Sequence, residues 1–118
     1  LENDLFNLDI KKITRKIIEV IEVELNVLLS DDEKLIKDLT NHLVPAINRI
    51  KMRLNIRNPL LNNIKEKYPM EYSATRKACE ILKASTKNYE IPESEIAYIT
   101  MHIAAAIYKK GFEMCFCN

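Results

Sequence analysis

A single glycine and four prolines in 118 residues leave the chain few places to turn. A sheet protein of this length joins many short strands through turn residues, so a few long elements are expected instead. Excess charge is also missing. The formal net charge is +1, which gives no field strong enough to argue for nucleic acid as a direct partner. Lys and Glu alternate along the chain rather than segregate, as on solvated helix faces. No apolar run approaches the roughly 20 residues that span a bilayer, and no signal peptide is present, so no membrane contact is expected. No glycine-rich loop could cradle a phosphate or an oxyanion, and no serine or cysteine sits in a strained turn. Nucleophilic catalysis is therefore not expected.

Cysteine is scarce and unpatterned. Cys79 lies at an apolar helical position and reads as a small core residue. Cys115-Phe-Cys117 could supply half a metal site, but no other Cys or His lies nearby in sequence. Metal sites need recurring ligand spacings, so neither a metal nor another cofactor is expected. Free thiols point to the cytosol. The chain opens with Leu1 rather than Met, as a piece cut from a longer protein would.

What is present is apolar content, 47% of residues, arranged with helical spacing. Length and composition fit one domain over 1–118, with its core at about 8–110 and no internal repeat or linker. Ile10, Ile13, Ile17, Ile21, Leu25 and Leu28 recur at three- and four-residue steps and predict a helix over about 7–28. Ser30 and Glu33 have capping-box spacing for a second helix, with Asp31 and Asp32 suited to its positive end. That helix carries Leu35, Leu39, Leu43, Ala46, Ile50 and Leu54. Asn58 and Pro59 are placed to start a short third helix, which Pro69 stops. A fourth runs over about 70–87 through Tyr72, Thr75, Cys79 and Leu82. Pro92 starts a fifth, carrying Ile96, Ile99, Ile103 and Ile107 and ended by Gly111, with a frayed tail beyond. The fold class is all-α: a compact five-helix bundle of four long helices and one short one.

The chain has only two histidines, and each falls at the edge of a helical apolar stripe. His42 has Asp38 four residues before it and Arg49 seven after it on the same side. Arg49 offers a planar, permanently charged fork to a phosphoryl group on His42, and Asp38 could fix the ring tautomer. Arg49 is therefore expected to support a modified His42 more than the fold. Pro45 removes the amide that would bond the Asn41 carbonyl, so the helix is expected to bend beside His42. His102 has Glu95 two turns back on nearly the same line, and the small Ala104, Ala105 and Ala106 after it. A zinc site from both histidines and Glu95 lacks a preorganising His-x3-His pair. An isolated histidine at a helix edge is most often a partly buried residue with one satisfied nitrogen.

Three segments together carry more. Leu39-Thr-Asn-His42-Leu-Val-Pro-Ala-Ile-Asn-Arg49, Asn58-Pro-Leu-Leu-Asn-Asn-Ile-Lys-Glu-Lys-Tyr-Pro69 and Glu95-Ile-Ala-Tyr-Ile-Thr-Met-His102-Ile-Ala-Ala-Ala106 resemble, in order and spacing, the PTS regulation domain. This module occurs in bacterial antiterminators and transcriptional activators of sugar operons. The resemblance implies a five-helix bundle without turnover of its own. It implies phosphoryl transfer to His42 and His102 from the phosphocarrier protein or sugar-specific transport components of the phosphotransferase system. Arg49 and Asn58 match residues that accompany the first histidine. It further implies a cytoplasmic homodimer whose packing responds to phosphorylation, with RNA or DNA bound only through a separate domain. The family often has an acid directly before the first histidine; here Asn41 stands there, with Asp38 one turn earlier. The chain is then either an excised fragment or a stand-alone domain acting through a partner. Two alternatives are a histidine phosphotransfer intermediate and a stand-alone dimerisation module.

Overall fold

The computed structural model describes residues 9–116, which form five helices and, among the described residues, no strand. They are α1 (Ile10–Leu25), α2 (Glu33–Lys51), α3 (Leu61–Lys67), α4 (Pro69–Ser85) and α5 (Glu93–Phe116). The all-α bundle read from the periodicity is the observed fold. α1 lies chiefly against α4; α2 packs on α1 and α5, and α3 on α4 and α5.

The core follows the helical stripes. Ile17, Ile18 and Ile21 of α1, Leu39, Leu43 and Ile47 of α2, Leu82 of α4, and Ile99 and Ile103 of α5 are fully buried. Each such side chain contributes about 1.5–3 kcal/mol relative to exposure. Threonines fit the buried positions by bonding back to their own helix: Thr14 Oγ1 donates to the Ile10 carbonyl at 2.9 Å and Thr100 Oγ1 to that of Ile96 at 2.8 Å. Cys79 is buried and unpaired, and burial pushes its thiol up to about 12. No helix among the described residues is long and apolar enough to cross a membrane.

Helix ends depart from the expectations in instructive ways. α1 stops at Leu25 because Asn26 takes the left-handed conformation (φ 54°). The last core residue of that segment is Leu29, fully buried beyond the helix, while Leu28 is exposed. The Glu22 carboxylate shapes this corner by accepting from the backbone amides of Leu29 and Ser30. The α2 cap is Asp32, not Ser30; its carboxylate accepts from the Leu35 amide at 3.0 Å. Leu54 lies past the end of α2 and is exposed. α2 itself continues through Pro45 as one helix.

Asn58 does not cap α3. Its side chain accepts from the Leu60 amide at 3.0 Å and its carbonyl from the Leu61 amide at 3.0 Å. This local turn delays the helix to Leu61. Pro69 both ends α3 and opens α4, where a missing amide costs nothing. Gly111 does not end α5. Its φ is not positive, so the left-handed cap that glycine permits is not formed, and the helix runs on to Phe116. Cys115 falls in this last turn and Cys117 lies outside the described residues.

Candidate functional site

Pairings of Arg49 with Glu95, and of His42 with both Tyr98 and His102, run in opposite senses along α2 and α5. The two helices are therefore antiparallel, and both histidines fall in the cleft between them. Their ring centroids are 5.7 Å apart with the planes tilted by 51°. Residues separated by 60 positions in sequence thus form one site. Both side chains are half-buried; that of His42 is 19% exposed.

The acids are distributed crosswise. Glu95, expected beside His102 on its own helix, is fully buried and turned to α2. Its carboxylate receives a two-pronged contact from Arg49, Nε to Oε2 at 2.7 Å and Nη2 to Oε1 at 3.0 Å. Oε1 also lies 3.6 Å from His42 Nε2, an ion-pair separation that is too long for a hydrogen bond. Nε2 is buried without a hydrogen-bond partner. Asp38, expected to orient His42, instead lines a cleft of about 110 Å³ with His102, Leu35, Ala105 and Lys109. Its carboxylate pairs with Lys34 at 2.7 Å.

Charges respond accordingly. Burial pushes the Glu95 carboxyl up, but the His42 and Arg49 contacts together outweigh it and hold it below the usual range. The Glu95 contact in turn raises Arg49. The Lys34 contact lowers Asp38. His102 is held below the ordinary imidazole value, first by burial and then by the charge of His42, with Asp38 opposing.

Arg49 therefore does not wait unpaired beside His42; its fork is already closed on a buried carboxylate. Asn41 is exposed. Asn58 is buried, and its side-chain amide nitrogen lacks a hydrogen-bond partner. Next to it, the Arg57 carbonyl accepts from the Tyr98 hydroxyl at 3.3 Å, which ties the loop after α2 to the site. Three residues escaped the reading of sequence: Tyr98, 5.9 Å from the His42 ring, and Lys34 and Lys109 around His102. Tyr98 and Lys109 stand four before and seven after His102, on its own helix face, so spacing could have found them. No group of acidic, His and Cys side chains able to hold a metal occurs among the described residues.

A family model, the PRD domain, matches residues 15–106. The chain belongs to the PRD family. The probable licABCH operon regulator of Bacillus subtilis (strain 168) is 37% identical over 102 residues, covering 86% of this chain and 16% of the relative. The transcriptional regulator ManR of the same organism is 38% identical over 76 residues, covering 64% of this chain and 12% of the relative. Protein GlcT of Staphylococcus epidermidis is 36% identical over 78 residues, covering 66% and 27%. The PRD chain thus spans under a third of each of these relatives. No solved structure is a significant match. The matched region contains α2 whole and α5 as far as Ala106, and so takes in both imidazoles of the PRD cleft and both of their acids.

Proposed function

We propose that this PRD domain is a regulatory phospho-acceptor that controls transcription or antitermination through a sugar phosphotransferase system. His42 and His102 take phosphoryl groups from the phosphocarrier protein or from sugar-specific transport components, in the cytoplasm and without turnover of their own. The observation that carries this reading is the pair of half-buried imidazoles sharing one interhelix cleft, with rings 5.7 Å apart. A phosphoryl group there brings a charge of about −1.5 to −2 into a packed seam. A homodimer interface across the seam would be biased by that charge, and the output would pass to a nucleic-acid-binding domain elsewhere. The names of two relatives, an operon regulator and a transcriptional regulator, support the same reading.

A phosphotransfer intermediate needs a histidine that two partners can reach in turn. Two half-buried imidazoles sharing one interhelix cleft, in place of one fully exposed histidine, fit a fixed acceptor better. The test is labelling from phosphoenolpyruvate through the general phosphotransferase proteins. Acid-labile, alkali-stable label on His42 or His102 is expected. Its absence from both, with the donors active on a known acceptor, would leave a dimerisation module.

A further inference from the structure

This inference rests on reading both imidazoles as phosphoryl acceptors. We infer that they are antagonistic: a phosphoryl group on one slows addition to the other about tenfold, so the cleft carries one group at a time.

Distance is the first ground. The ring centroids are 5.7 Å apart, and both rings are held in a packed seam between α2 and α5. Charge balance is the second. Around His102 stand Lys34 and Lys109 with Asp32 and Asp38, and beside His42 stands Arg49 with Glu95. The cations closest to Asp38 and Glu95 are already engaged. Arg49 is closed on Glu95 and Lys34 on Asp38. A first phosphoryl group can draw one of these cations away from its carboxylate. A second must enter a cleft that is already strongly negative. Coupling between the rings is the third ground, since the charge of His42 already holds proton binding at His102 down.

The magnitude follows from Coulomb's law. Two groups of about −1.5 charges each, roughly 7 Å apart in surroundings as polarisable as bulk water, repel enough for about a tenfold effect. A half-buried seam screens less than water and strengthens the effect, while a wider separation or added salt weakens it, so about tenfold is the expected order. Two donors acting on the two histidines would therefore compete, and the domain would register which acted first.

The test uses phosphoramidate, a small donor that needs no protein docking. Its P–N bond breaks, a P–N bond to the imidazole forms, and the imidazole proton leaves with the ammonia as ammonium. Intact-mass spectrometry at mildly alkaline pH follows the number of groups on wild type, His42→Gln, His102→Gln and the double variant at low ionic strength. Circular dichroism checks that each stays helical. Each single variant should take one group and the double variant none. Wild type should take one, with a second arriving about tenfold more slowly than the single-variant rates require of independent sites. A wild-type second addition at the independent rate overturns the inference and leaves the functional reading standing. So does a single variant that takes nothing, since one histidine would then be no acceptor. No addition to any form overturns the inference, and overturns the functional reading as well where phosphoenolpyruvate with the general phosphotransferase proteins also leaves no label.

Discussion

Glu95 serves His42 on the facing helix, at 3.6 Å, and not His102, which lies seven residues further along its own helix. The carboxylate is fully buried, and Arg49 closes on both of its oxygens. The site's charge chemistry is therefore also its structural chemistry.

Arg49→Leu should destabilise the domain by about 2–4 kcal/mol, because it leaves a buried carboxylate without its cation. Arg49→Lys should recover part of this, since one ammonium cannot replace the fork. Urea denaturation measures both. A loss under about 0.5 kcal/mol for the leucine variant would show the pair to be dispensable.

Acid sensitivity follows from the same carboxylate. Glu95 is held below its ordinary value of 4.5, so its contribution is fully present above that pH. It is lost as pH falls through the lower folded-state value. Wild-type stability should decline below about pH 4.5, and Glu95→Gln should flatten that decline while costing stability at pH 7. Parallel pH profiles for the two proteins would contradict the assignment.

His102 should titrate below 6.5 by proton NMR. Because folding lowers this base, the unfolded chain binds more protons between the two values, and stability falls as pH drops from about 6.5. His42→Gln should raise the His102 value by removing an opposing charge; Asp38→Asn should lower it further. Shifts of opposite sign to these would refute the crosswise arrangement.

Helix capping separates two neighbours. Asp32→Ala should cost about 1 kcal/mol through loss of the Leu35 amide bond, whereas Ser30→Ala should stay within about 0.5 kcal/mol. Thermal melts distinguish them, and equal losses would return the cap to Ser30.

Helix number and buried faces were legible because the isoleucines and leucines repeat at helical steps that only one side of each helix can bury. The edge positions of His42 and His102 were legible for the same reason. The partners of Glu95 were not. A helical wheel ranks neighbours within one helix, and Arg49 is 46 residues away from Glu95 on another. The cap of α2 was ambiguous because Ser30, Asp31 and Asp32 are all competent acceptors in a row; in the fold the Ser30 amide is held on the distant Glu22 and the Asp32 carboxylate takes the Leu35 amide. Gly111 misled because glycine permits a left-handed stop without requiring one.

The crosswise placement of the acids makes the cleft a gauge of helix register. Each imidazole and its carboxylate sit on opposite helices, so neither pair is protected by the rigidity of a single helix. Sliding α5 along α2 by one turn, about 5.4 Å, would carry both imidazoles off both acids together. A displacement at either end of this helix pair would thus reach the two histidines as a change of electrostatic partner, with no side chain in the cleft having to move relative to its own backbone.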